Sequence, residues 1–218
     1  MKKVLLLVCA VLFSFGTYAQ IETPQPSPSQ KIEQTVGLTD ITLEYSRPAM
    51  RDRTIFGGLV PYGKMWRTGA NKNTTITFNK PIMIDGTELK PGSYAIYTKP
   101  NKENWEVYFY SDANNWGTPQ KWDESKVAAM ATAQVYPMPM DIQSFTMTFD
   151  DVTHDSANLG MLWENTYASV PIKVMTDKEV SASIDRVMNG PSANDYYASA
   201  VYYLEADKDI NQAKTWID

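Results

Sequence analysis

The densest run of chemistry-bearing side chains in this 218-residue sequence lies between Ser46 and Asn71. Ser46, Arg47 and Arg53 are followed by Trp66-Arg67-Thr68-Gly69-Ala70-Asn71, across a stretch repeatedly broken by glycine and proline. Guanidinium groups present forked N–H donors that match planar oxyanions. With an amide and small hydroxyls beside them, they suit a carboxylate, phosphate, sulfate or sugar acid. Trp66 offers a face for a sugar ring or for the arginine planes. Gly69 allows close backbone approach. The same arginines could instead pair with Glu44, Asp52 or Glu164 and fasten this stretch to a sheet.

Glu164 is the acidic counterpart. Leu159, Met161 and Trp163 alternate along one strand face, so Glu164 points to the other. An enclosed carboxylate there would be either an internal partner for Arg47 or Arg67, the expected role, or a group for proton transfer. Asp150-Asp151-Val152-Thr153-His154-Asp155 gathers three acids and the only histidine. Calcium binding, or a Ser156–His154–aspartate trio, can be drawn from it, but neighbours in one turn do not converge and the EF-hand spacing is missing. A solvated turn is expected. Trp105, Trp116 and Trp122, with Tyr94, Tyr97, Tyr108 and Tyr110, raise a glycan platform, although alternation must send about half of strand aromatics inward.

Several chemistries are excluded. Cysteine and histidine occur once each, too few for a zinc site of such ligands. The net charge of −5 argues against a nucleic-acid surface. Neither a phosphate-cradling lysine loop nor a dinucleotide glycine pattern occurs. No metal and no cofactor are expected.

The elements that must position these residues follow from pattern. Lys2 and Lys3, an apolar run from Val4 to Phe13, and Thr17-Tyr18-Ala19 predict a cleaved secretory signal over 1–19, and export to the periplasm or beyond. Its loss removes Cys9 and leaves no membrane span. Residues 20–29 form a proline-rich leader, extended and loosely held. Period-two alternation then dominates 30–175. A hairpin is expected around Gly37–Asp40, followed by strands at Thr74–Phe78, Ile82–Ile84, Ser93–Thr98 and Trp105–Tyr110. Later strands are expected at Lys126–Val135, Ile142–Phe149, Ala157–Glu164 and Ala168–Met175. The fold class expected is mainly β, an antiparallel sandwich or jelly roll. The long connection Met50–Asn73 is functional or tightly packed. Residues 176–218 read as a helical tail: a helix to Met188, a second over Asn194–Leu204 and a third from about Asp209. Tyr197, Ala200, Val201, Leu204, Ala213 and Ile217 are spaced like the packing positions of a tetratricopeptide-like repeat, and the natural chain is expected to continue past Asp218.

The sequence also resembles a secreted bacterial family catalogued as domain of unknown function 2911. Tyr45-Ser46-Arg47-Pro48, Arg53-Thr54-Ile55-Phe56-Gly57 and Leu59 through Asn71 carry the resemblance. Leu89-Lys90-Pro91-Gly92-Ser93-Tyr94, Trp116-Gly117, Leu162-Trp163-Glu164 and Val170-Pro171-Ile172 extend it over roughly Pro28 to Val174. The resemblance implies export and a helical tail, and no activity. The reading expected overall is an exported β-sandwich module that binds a small anion or glycan through Ser46, Arg47, Arg53, Trp66, Arg67, Thr68, Asn71 and Glu164. The alternatives are an envelope module that docks another protein through its tail, and a carboxylate hydrolase using Glu164 with Asp150.

Overall fold

A computed structural model describes residues 23–205 and 208–217; the expected signal segment lies outside them. Strands β1 (Ser29–Val36) and β2 (Thr39–Ser46) form the expected hairpin about Gly37-Leu38. Gly37 has φ 56°, and an added β-carbon would stand 2.2 Å from His154 O, so both the turn and its packing require glycine. The remaining strands are β3 (Thr75–Phe78), β4 (Ile82–Ile84), β5 (Thr87–Leu89), β6 (Gly92–Pro100), β7 (Asn104–Tyr110), β8 (Val127–Asp150) and β9 (Ser156–Val174). They make one antiparallel sheet in the order β1-β2-β3-β6-β7-β8-β9-β4-β5.

Two differences from the expected pattern share a cause. The segments 126–135 and 142–149 are one strand, β8, and the two late segments are likewise one strand, β9. Pro137 and Pro139 interrupt the alternation and suggest a break. The ladder absorbs them through register shifts between Pro137 and Ile142 and again between Ile142 and Thr146. The strand bends at these bulges rather than stopping. Strand β5 was not expected; it pairs with β4 around Asp85-Gly86, whose φ angles of 45° and 79° fit the tight hairpin turn that Asp-Gly favours.

The bend lets the sheet wrap a single core, in the manner of a sandwich. Leu43, Ile76, Ile96, Trp105 and Val107 from the first half meet Met147, Leu159, Met161, Trp163 and Val170 from the second. A smaller cluster of Ala95, Tyr97 and Tyr110 lies on the outer face, covered by Met65, Tyr108, Trp122 and Val127. Strand β6 is therefore buried on both sides. This covering uses up most of the aromatics considered as a glycan platform. Trp105, Tyr97 and Tyr110 are buried, Tyr94 stacks on Phe78 at 5.3 Å, and Trp122 packs edge-on against Tyr108. Trp116 alone of that set is widely exposed, at 72%.

Helices α1 (Thr176–Met188), α2 (Ala193–Glu205) and α3 (Ile210–Ile217) follow the sheet. The buried Thr176 accepts from Leu38 N through Oγ1 at 3.4 Å, and Lys80 pairs with Glu179 at 2.5 Å, tying α1 to the strands. Helices α2 and α3 pack on each other through the buried Ala200 and Ala213, with Tyr203 against Trp216. Tyr197, Leu204 and Ile217 remain exposed.

Candidate functional site

The long connection after β2 is irregular in dihedrals but fixed in place. Near its start, Phe145 N donates to Pro48 O at 2.9 Å and Met50 N donates to Gln143 O at 2.6 Å, where the β8 bulge frees the strand edge. In the middle, Ile55 and Phe56 are buried, and their backbone N–H groups both donate to the Glu164 carboxylate at 3.2 Å. Near its end, Trp66 exchanges two backbone hydrogen bonds with Thr98 of β6, at 2.7 and 2.9 Å. Three anchors hold a segment that has little secondary structure of its own.

These anchors enclose an open cavity of about 470 Å³. Arg51, Arg53 and Arg67 lie in its wall, with Asn71, Trp66, Trp163, Trp116 and apolar surface from Pro48, Leu59 and Val60. Among the described residues, no aspartate or glutamate lines it. Among the described residues, none of the three guanidinium groups lies within 4.0 Å of a carboxylate. Their fixed partners are neutral carbonyls: Arg53 donates to Met50 O and Ala49 O, Arg67 to Asn71 O, and Arg51 to Pro26 O. Each guanidinium has five N–H donors, so several remain uncommitted among the described residues. The wall therefore gathers positive charge without an internal counter-ion among the described residues.

Backbone strain concentrates at the same place. Arg51, Asp52, Thr68, Asn71 and Glu164 all have φ between 49° and 58°. Each such residue costs about 1–3 kcal/mol and persists only where its surroundings over-determine it. The cavity wall also contains an unsatisfied donor: Trp163 is 1% exposed, and its indole N–H has no hydrogen-bond partner among the described residues. Trp163 stacks on Trp66 at 5.8 Å, and Trp66 in turn touches Phe56, Trp105 and Phe145, so an aromatic block forms the floor.

Of the residues singled out from sequence, Arg53, Trp66, Arg67 and Asn71 come together at this cavity. Ser46 and Thr68 lie beneath it. Ser46 Oγ accepts from Asn71 Nδ2 at 3.4 Å, and Thr68 Oγ1 donates to Thr98 Oγ1 at 3.1 Å, so both support the wall. Arg47 stands outside. Its Nε donates to Phe145 O at 3.1 Å and its Nη2 to Thr146 Oγ1 at 2.8 Å, next to the β8 register shift. A guanidinium there serves carbonyl and hydroxyl groups that the disturbed ladder leaves over. Glu164 is not joined to Arg47 or Arg67; its carboxylate caps the backbone of the connection instead. Asp150 accepts from Thr148 Oγ1 and Tyr167 OH, on the β8–β9 ladder, and is not part of the cavity wall. His154 lies in an exposed turn, where Asp155 accepts from Thr153.

Arg51, Trp116, Trp163 and the leader residues Pro26 and Ser27 belong to the wall but were not among the residues chosen. Arg51 is two positions before Arg53 and of the same chemistry. Trp116 sits inside the turn-forming run Asn114-Asn115-Trp116-Gly117, where a large indole has no core to fill. Both signals were present in the sequence.

Compared with known proteins, the chain matches no curated protein and no solved structure. A family model described as protein of unknown function (DUF2911) matches residues 27–172, which take in every strand but the last two residues of β9 and every described residue of the cavity wall except Pro26. The chain belongs to this family.

Proposed function

We propose that the chain is an exported binding module whose cavity takes a small ligand bearing an oxyanion, and that a sugar acid suits it best. The carrying observation is the wall itself, with Arg51, Arg53 and Arg67 in it and no carboxylate among the described residues. A ligand carboxylate or phosphate would supply the missing counter-charge through charge-assisted hydrogen bonds, each worth about 1.5–3 kcal/mol. Trp116 and Leu59 at the exposed side favour a ligand that also presents a ring or apolar face. Export rests on the basic, apolar and small-residue pattern of residues 1–19. Among the described residues, the wall offers the hydrolase reading no paired acid and base.

Calorimetric titration of the chain without residues 1–19 tests this reading, using D-galacturonate, D-galactose and inorganic phosphate. Galacturonate is expected to bind, galactose to bind weakly or not at all, and Arg67→Ala to weaken binding about tenfold or more. Equal binding of galactose and galacturonate, unaffected by Arg67→Ala, would overturn it. A second reading, docking of an envelope protein, has one observation behind it. Leu204, Ile210 and Ile217 are exposed along a shallow apolar groove between α2 and α3. Pull-down from envelope extracts with and without Leu204→Asp separates the two readings.

A further inference from the structure

The proline-rich leader does not hang free of the sheet. Pro26 and Ser27 form part of the cavity wall, and the leader's oxygens meet the donors of the site. Arg51 Nη2 donates to Pro26 O at 3.3 Å. Asn71 Nδ2 donates to Ser27 O at 3.0 Å and to Gln25 Oε1 at 3.1 Å. Only at Pro28 does the chain join the regular ladder, where Arg47 N donates to Pro28 O at 2.9 Å.

We infer that residues 25–27 are a strap closing one side of the cavity, held on the donors of the site until an oxyanion ligand displaces it. The inference rests on the anion-binding reading and adds how the site is controlled. Neutral carbonyl and carboxamide oxygens stand where a ligand's oxygens would accept. A carboxylate is the better acceptor for a guanidinium, because the hydrogen bond is then charge-assisted at both ends. Exchanging leader for ligand leaves Arg51 and Asn71 with acceptors throughout, so neither state strands these donors. The exchange also defines the ligand further. It must bring at least two acceptor oxygens, one for each of these residues, which a sugar acid does and a simple halide does not.

The leader is suited to such an exchange. Of residues 23–26, all are exposed, and Ser27 is only half-buried, so undocking uncovers little apolar surface. Pro24, Pro26 and Pro28 limit the disorder gained on release, which holds the strap down by a small margin. Weakening it by either route, side chain or backbone, therefore shifts the balance toward the open cavity.

The heteronuclear 1H–15N NOE of Gln25 and Ser27 in the chain without residues 1–19, with and without saturating D-galacturonate or inorganic phosphate, tests the inference alongside titrations of Gln25→Ala and of Pro24→Gly/Pro26→Gly. The expected result is a lower NOE, and so a more mobile leader, when the anion is bound, and binding about threefold to tenfold tighter in the variants. Binding to the variants but not to the parent chain also supports it. Anion binding with the leader NOE unchanged or raised, and affinity unaltered by the variants, overturns the strap and leaves the cavity reading standing. If neither anion binds any of the three proteins, both readings are overturned.

Discussion

Arg67 packs its guanidinium against Gly117: a β-carbon on Gly117 would stand 3.3 Å from Nη1 and 3.5 Å from Cζ. Gly117 also has φ 86°, and its carbonyl accepts from Tyr97 OH at 3.2 Å. The loop that carries the exposed Trp116 is thus fixed at its next residue to both the outer aromatic cluster and the cavity's arginine. Gly117→Ala must strain the backbone and press on the guanidinium together. The expected result is a loss of about 1–2 kcal/mol in stability and weaker binding of D-galacturonate, read by urea denaturation and calorimetry. Normal affinity in a folded Gly117→Ala protein would show that the position of Arg67 does not matter to the ligand.

Glu164 carries the connection rather than the chemistry. Its carboxylate takes the N–H groups of both Ile55 and Phe56, while its own φ of 52° is strained. Glu164→Ala leaves two backbone donors without acceptors and should cost about 1–3 kcal/mol. Glu164→Gln, which keeps one acceptor oxygen, should recover part of that loss. The check is denaturant unfolding together with amide exchange at Ile55 and Phe56, both of which should lose protection in the alanine variant.

A pH dependence follows from the outer face. Tyr108 OH donates to Glu106, which also accepts from Lys99 Nζ at 3.1 and 3.2 Å. Burial, and then the bond to Glu106, pushes the Tyr108 phenol up to about 12. The bond from Tyr108 in turn holds Glu106 below its ordinary value, with Lys99 contributing. A raised phenol contributes stability that is full below the usual 10.0 and is lost as the pH climbs through about 12. A lowered carboxylate contributes stability present above the usual 4.5, lost as the pH falls through its depressed value. Tyr108→Phe should therefore flatten the alkaline limb of a melting-temperature profile. It should also move the Glu106 titration upward, toward the ordinary value, in an NMR measurement.

The class of fold was legible because Ile41, Leu43 and Tyr45, and later Leu159, Met161 and Trp163, alternate without interruption and all are buried. The continuity of β8 was not, because Pro137 and Pro139 look like punctuation while the bulged ladder tolerates them. Arg53, Trp66, Arg67 and Asn71 could be grouped from sequence, being neighbours on one irregular segment. Arg47 was misplaced for the same reason. Nearness in sequence to Ser46 hides that the strand end turns its side chain toward Thr146. Trp116 and the leader reach the cavity only through tertiary folding, which spacing along the chain does not record.

The placement of β9 between β8 and β4 fixes when the domain can become whole. Ile82 of β4 pairs with Val174, the last residue of β9, so the second half of the sheet closes only after the chain has been made to that point. A product ending earlier would strand the β4–β5 hairpin and leave the long edge of β8 open to pairing with other chains. Contacts so distant in sequence also slow folding. Residues 29–174 are therefore an indivisible unit in synthesis, and fragments cut within it should aggregate rather than fold in part.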